Sequence, residues 1–279
     1  MVLLCSVWGL THVVARLTSE NVSLVMQGGL RSLIASALVI AWARYRNINL
    51  FGADGTLGPG LLAGILFAGE FLFIFAGLAH TTASRMVVFV YLSPVLTALG
   101  LHAFVPGEQL HRTQWVGVVL AFLGIVAAFG EGFAKSQTSL QGDTFGIAAA
   151  ILWAATTVWI RASRLSRVSP EKVLFYQLAV CSAAMLIASP LLGESGIVHF
   201  GVRATASLLF QGVVVAFASY LAWFWLLTRY RAANLSTFGF LTPMFGVVFG
   251  VGILGEPLST AFLISVILVG VGITLVNRR

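Results

Sequence analysis

Apolar runs of about 20 residues recur along the whole chain, each bounded by charged residues, glycine or proline. A run of that length crosses the hydrocarbon core of a bilayer as a helix. Read this way, the pattern predicts ten spans, at roughly 2–17, 23–43, 57–79, 82–105, 113–130, 142–162, 170–190, 203–228, 232–254 and 258–276. A membrane barrel would need alternating polar and apolar positions in segments of about ten residues, and these runs are unbroken. The polar positions left between the runs are few, so the loops are short and no extramembrane domain is expected.

Composition agrees with the pattern. Of 279 residues, 59% are hydrophobic and 9% charged, against about 45–50% and about 25% in an ordinary soluble domain. Such a chain cannot cover a water-facing surface with polar groups. Lys and Arg outnumber Asp and Glu, 16 to 9, for a net charge of +7. The basic residues are scattered between apolar runs and form no basic stripe, which argues against a nucleic-acid partner. Their distribution is a topology signal instead, because cytoplasmic loops carry the excess of Lys and Arg. One set of alternate loops and ends holds Arg44, Arg46, Arg112, Arg161, Arg164, Arg167, Lys172, Arg229, Arg231, Arg278 and Arg279; the other holds Arg16, Lys135 and Arg203. Both termini are therefore expected in the cytoplasm. The first apolar run starts at residue 2 with no basic region before it, so no cleavable signal peptide is expected, although the short first span leaves room for a few further native N-terminal residues. Cys5 and Cys181 both sit inside apolar segments, with no metal-ligand spacing and no indication of a disulfide.

The chain resembles itself at an offset of roughly 145–150 residues. Leu92-Ser93-Pro94 matches Leu241-Thr242-Pro243, Gly107-Glu108-Gln109-Leu110 matches Gly255-Glu256-Pro257-Leu258, and Gly124 matches Gly272. Trp8 and Arg16 match Trp153 and Arg161, and Gln27 matches Gln177. Each half, 1–130 and 131–279, holds five spans. Five is odd, so the second copy enters the membrane inverted. Inverted repeats are the architecture of secondary carriers, in which two antiparallel copies exchange shapes to open a site to either face in turn. The expected fold class is an all-α membrane protein with ten transmembrane helices as two inverted five-helix repeats, forming one integrated membrane domain.

A span with Ser-Pro or Thr-Pro at its middle, ending in Gly-Glu and followed by a Gly-bearing span, resembles the EamA repeat of the drug/metabolite transporter superfamily. The pattern occurs twice and covers essentially the whole chain. Leu30-Arg31-Ser32-Leu33-Ile34-Ala35 resembles the second-helix signature of the same family, although the second half has Cys181 near the position of that arginine. Within the superfamily the chain is most similar to the YddG-like exporters of amino acids, aromatic ones included. The resemblance implies efflux across the bacterial inner membrane and a central cavity between helices 1–4 and 6–9, with helices 5 and 10 peripheral.

Two charged residues fall deep inside spans, away from loops and helix ends. Glu70 lies thirteen residues into the third span and Arg31 within the second. At 1.5 Å per residue they sit roughly 14 and 12 Å below the outer ends of their helices, at similar depth in a hairpin. A carboxylate at mid-membrane costs about 2.5–3.5 kcal/mol on insertion scales, so such a group needs a cavity or a partner. Glu70 and Arg31 are expected to pair, directly or through water, either as a fixed tie between helices or as groups that meet a zwitterionic substrate or exchange a proton. Trp8, Tyr91, Trp153, Tyr176, Tyr220 and Trp223 carry aromatic rings with a polar handle, suited to an apolar or aromatic substrate side chain and equally common in interfacial belts. Pro94 and Pro243 interrupt the fourth and ninth spans and read as static kinks or as hinges. His12 is a candidate donor to a substrate carboxylate; Gln27 and Gln177 are candidate cavity donors or interhelical ties. Gly60-x-x-x-Gly64, Gly117-x-x-x-Ala121 and Gly246-x-x-x-Gly250 read as packing stripes. Glu108 and Glu256, after the fourth and ninth spans, read as caps.

The expected function is secondary export of amino acids, including aromatic and hydrophobic ones, or of related small metabolites such as nucleobases or sugars. An intramembrane enzyme acting on lipid or peptide is the alternative. It lacks its constellation: no His-Glu-x-x-His, no Gly-x-Ser-x-Gly, and Asp54 and Asp143 lie in or beside loops. A channel fits inverted repeats with central prolines less well. No Gly-x-x-x-x-Gly-Lys-Ser/Thr motif is present, so no ATPase is indicated within the chain, and no cofactor or metal is implied.

Overall fold

The computed structural model describes residues 1–78, 80–81, 83–135, 140–254 and 260–278; the side chains of His12, Arg16, 83–85, 131–135 and Leu254 are also outside the description. Among the described residues ten apolar helical segments are present, called here α1 (Val2–Thr18), α2 (Leu24–Tyr45), α3 (Leu57–Leu78), α4 (Met86–Phe104), α5 (Arg112–Lys135), α6 (Leu140–Ala162), α7 (Pro170–Leu191), α8 (Val202–Leu227), α9 (Ala232–Ile253) and α10 (Thr260–Asn277). Nine of them, all but α1, are long and apolar enough to cross a membrane. Among the described residues the extended structure amounts to a single bridge between Val22 and Ile197. The boundaries expected from hydrophobic runs and the observed ones differ by a few residues at most where both are described.

The two prolines act where the sequence places them. In α4, one helix ends at Val90 and a second begins at Ser93, with Tyr91 and Leu92 forming the joint and Pro94 in the first turn of the second piece. A proline is tolerated there because first-turn N–H groups have no intrahelical partner. In α9, a helix over Ala232–Thr237 passes through a 3-10 turn, Phe238–Phe240, into a helix that starts at Leu241, with Pro243 near its beginning. A further irregularity, unheralded by any proline, lies in α8, where Phe210–Ser219 is wound as a π-helix.

The chain forms two compact units, each drawing helices from both halves of the sequence. Unit 1 holds Met1–Leu10, Phe73–Val158 and Tyr230–Arg279. Its apolar core includes Met86, Val90, Tyr91, Ile125, Phe240 and Phe262. Here α5 packs along α10 through small residues, with Gly117, Ala121 and Gly124 against Gly272, Val269 and Ser265. Unit 2 holds Thr11–Leu72 and Trp159–Arg229. It is built on α2 and α7, which pack through Gly29 against Leu186 and through Ser32 against Cys181, while Gly60 and Gly64 of α3 lie against Tyr176 and Val180 of α7. Without a hydrophobic drive between helices in lipid, such close approach supplies much of the attraction. The glycine stripes thus pack helices, as their spacing indicates.

Both ends of the α2–α7 pair are tied. Glu194, after α7, accepts the Val25 and Met26 backbone N–H groups at 3.1 and 3.2 Å and the Ser23 hydroxyl at 2.7 Å, and so caps α2. The α7 N-terminus carries Pro170 in its first turn and Ser169 as cap, whose hydroxyl accepts from Lys172 N. Lys172 Nζ then donates to Asp54 Oδ2 at 2.7 Å and to the Gly52 carbonyl at 3.0 Å.

Candidate functional site

Within unit 2, α2, α3, α7 and α8 bring the two intramembrane charges together. Arg31 and Glu70 are buried, 7% and 5% exposed, and interact through their charges. Arg31 lies over the Phe71 ring, its guanidinium carbon 4.6 Å from the ring centroid, and its guanidinium hydrogen-bonds the Tyr220 hydroxyl. A desolvated cation–π contact of this kind is worth about 2 kcal/mol or more. The Arg31 Nε, however, is buried without a hydrogen-bond partner. Among the described residues no hydrogen bond or direct ion pair joins Arg31 to Glu70, which interact by charge alone, and Arg31 is held by an aromatic face and a phenol instead.

Aromatic rings stand beside the charges. Phe67 packs edge-on against Phe71 at 5.1 Å and against Tyr220 at 6.1 Å between centroids. Tyr220 comes immediately after the π-helical stretch of α8, in which Gly212 packs closely on Ile34 of α2. A π-helix closes its hydrogen bonds one residue further along the chain than an α-helix does, which rotates Tyr220 and its successors about the helix axis. Ser32, one residue after Arg31, donates to Cys181 Sγ at 3.7 Å. Trp223, one turn after Tyr220, is half-buried.

Other expected residues sit elsewhere in the same unit. Gln177 is 2% exposed, and its amide nitrogen lacks a hydrogen-bond partner. Its repeat-equivalent Gln27 has a different fate: its Nε2 donates to Val22 O at 2.7 Å, and its Oε1 accepts from Gln211 Nε2 at 2.8 Å. Gln211 also donates to Ser207, which shares a 3.0 Å hydrogen bond with Thr18. The Tyr176 hydroxyl shares a hydrogen bond with Thr56 at 3.2 Å, and the ring fills the space over Gly60, so this tyrosine is a packing residue.

Unit 1 holds the remaining candidates. Tyr91, at the joint of α4, meets Trp153 of α6 edge-on, with centroids 5.9 Å apart; Tyr91 is buried and Trp153 half-buried. Trp8 is half-buried on α1, and Pro94 is buried. Glu108 caps α9 through the Ala232 and Ala233 N–H groups, at 3.0 and 3.2 Å. The His12 side chain and Gly255-Glu256-Pro257 lie outside the described residues.

Sequence reasoning missed Phe71, Gln211, Glu194 and the Asp54–Lys172 pair. Gln211 carried a usable signal, an amide in the middle of an apolar span; Phe71 carried none, because one phenylalanine among 21 is not distinguished by type. Among the described residues no three His, Cys, Asp or Glu side chains converge as a metal site.

The profile of the EamA-like transporter family matches residues 1–130 and 140–278. The chain belongs to this family. Its fold is accordingly all-α, with ten helices in two inverted five-helix repeats, and it is a multi-pass membrane transporter. A "Probable amino-acid metabolite efflux pump" of Salmonella typhimurium is 24% identical over 96% of this chain and 90% of its own length. The "Uncharacterized transporter YvbV" of Bacillus subtilis is 25% identical over 98% and 88%, and the "Uncharacterized inner membrane transporter YedA" of Escherichia coli 24% over 91% and 81%. A crystal structure superposes with a TM-score of 0.83 at 20% identity, covering 99% of this chain and 96% of the other; that likeness shows the fold alone.

Proposed function

We propose that this protein is a secondary transporter that exports amino acids, aromatic and hydrophobic ones included, or related small metabolites across the bacterial inner membrane by alternating access. The observation that carries the reading is the Arg31–Glu70 pair, two charges buried in membrane-spanning helices beside Phe67, Phe71 and Tyr220. Charges at that depth are expensive, and a passage for polar solutes is a reason to retain them. The names borne by its relatives, amino-acid metabolite efflux pumps among them, support the same class of solute.

In this reading Glu70, Tyr220, Trp223 and Gln177 of unit 2 contact the solute, Arg31 and Glu70 form the ionic centre, and Pro94 and Pro243 are the hinges of the repeats 1–130 and 131–279. The excess of Lys and Arg in alternate loops supports an orientation with both termini in the cytoplasm. Purified protein in liposomes, offered labelled amino acids, nucleobases and sugars with and without a pH gradient, tests the proposal. Saturable counterflow of an amino acid, recovered unmodified, supports it; non-saturable flux, or a chemically altered solute, overturns it.

A further inference from the structure

We propose that Arg31 and Glu70 read the two charges of a zwitterion separately, so that the charge balance of this pair sets which solutes the protein accepts. The inference rests on the transporter reading above and deepens it.

Buried polar groups in folded proteins are hydrogen-bonded almost without exception, yet the Arg31 Nε is buried with no partner. One guanidinium face is occupied by Phe71 and a hydrogen bond goes to Tyr220, which fixes the plane of the group. A planar guanidinium receives a carboxylate through two parallel bonds from the edge that bears Nε–H and a terminal N–H, and here the Nε–H has no protein partner. Glu70 lies near enough to act on Arg31 by charge, and an ion pair that served only to tie α2 to α3 would be expected to use that edge.

Among the described residues, the other polar groups that interact with this pair are a thiol, Cys181, and a phenol, Tyr220, with the Ser32 hydroxyl bonded to the thiol. The cluster therefore holds one guanidinium and one carboxyl group in a low-dielectric setting, where an uncompensated charge is strongly disfavoured. A zwitterion adds no net charge, sets its carboxylate on Arg31 and its ammonium toward Glu70, and keeps every charge opposed by another. A carboxylate without an ammonium group leaves the site with an excess negative charge, and an amine without a carboxylate leaves an excess positive one. The edge-on rings of Phe67, Phe71 and Tyr220 offer an apolar face to the side chain of the same solute.

Three solutes with one ring separate the terms: phenylalanine, 3-phenylpropionate and phenethylamine. Counterflow of each is measured with full-length protein in liposomes for the wild type, Glu70→Gln, Arg31→Gln and Arg31→Lys. The wild type is expected to prefer phenylalanine by about tenfold or more, a modest figure for a site that loses a charged partner. Glu70→Gln is expected to favour 3-phenylpropionate over phenylalanine, and Arg31→Gln to favour phenethylamine. Arg31→Lys keeps the charge and loses the planar fork, so it is expected to keep the wild-type order with a raised half-saturation concentration. An unchanged order in the two Gln variants overturns the inference, as does a reversed order in Arg31→Lys, which remains the deciding variant if neutralisation prevents folding. Wild-type protein that carries another solute of the wider panel and not phenylalanine overturns the inference alone; wild-type protein that carries nothing overturns the transporter reading with it.

Discussion

A Cβ placed on Gly117 would lie 2.6 Å from the carbonyl oxygen of Gly272, and one placed on Gly272 would lie 2.5 Å from the carbonyl oxygen of Gly117. The two glycines let α5 and α10 meet backbone to backbone at a point where even a methyl group has no room. The obstructing atoms are main chain and cannot rotate away.

Gly117→Ala and Gly272→Ala are therefore each expected to destabilise unit 1 by about 1–3 kcal/mol, the usual cost of overpacking a tight contact. Because both changes push on the same crossing, the double variant is expected to lose less than the sum of the two. Gly270 on the same helix has no atom within 4 Å of a hypothetical Cβ, and Gly270→Ala serves as the neutral control. Denaturant unfolding in detergent measures all four. Equal stability of Gly117→Ala and Gly270→Ala would contradict the close contact.

Glu108 links the end of α4 to the start of α9. Its carboxylate, 2% exposed, accepts the Ala232 and Ala233 N–H groups, with Arg231 beside it. Loss of a helix cap costs about 0.5–2 kcal/mol, and here the carboxylate also opposes the positive end of the helix dipole. Glu108→Ala is expected to fall at the upper end of that range and Glu108→Gln, which keeps one acceptor, between it and the wild type. Thermal unfolding of the three proteins at one pH gives the order; a glutamine variant less stable than the alanine variant would refute the cap.

Spans are legible in the sequence because lipid imposes length and composition on every helix, and the interruptions of α4 and α9 are legible because Pro94 and Pro243 remove a backbone donor wherever they stand. Depth is legible too: counting along α2 and α3 puts Arg31 and Glu70 at one level, and in the structure both are buried and interact by charge without a direct ion pair. Rotation is not. Nothing in a uniformly apolar helix says that Phe71, rather than Phe67 or Phe73, lies under Arg31, and the π-helical stretch that precedes Tyr220 has no proline or charge to mark it. Glu108 reads as a cap from its place in the chain, but its partner lies 124 residues away, a distance no local rule spans.

Gln27 and Gln211 form the centre of a buried amide network with Ser207 and Thr18. Replacing Gln27 with Leu removes the acceptor of the Gln211 amide and the donor to the Val22 carbonyl. Each group left unsatisfied costs about 1–3 kcal/mol. Gln211→Leu in the Gln27→Leu background deletes one of the orphans, so the second substitution is expected to cost less there than in the wild type. A double-mutant cycle on unfolding free energy measures the coupling; strict additivity would show that the two amides do not support each other.

Asp54 and Lys172 supply a pH-dependent term outside the bilayer. Lys172 is 2% exposed and Asp54 42% exposed at the side chain, 2.7 Å apart. Hydrogen bonds from Lys172 and Thr56 hold the Asp54 carboxyl at about 2, below the ordinary 3.8. A carboxylate whose folded-state value is depressed contributes its stability in full above the ordinary value and loses it as the pH falls through the depressed one. Asp54→Asn is thus expected to lower the unfolding midpoint at neutral pH, by a few degrees, with the gap to the wild type closing between about pH 4 and pH 2 as the wild-type carboxyl takes up its proton. The variant also leaves a buried ammonium group without a counter-charge, with neutral acceptors such as the Gly52 carbonyl. Lys172→Met removes that ammonium together with its need for a partner and is expected to cost less than Asp54→Asn, since breaking a buried charge contact from one side is worse than replacing the buried charge by an apolar chain. Unfolding midpoints from pH 7 down to pH 2 test both statements: a gap that persists at pH 2, or a methionine variant weaker than the asparagine variant at pH 7, would remove Asp54 as the partner that makes burial of Lys172 tolerable.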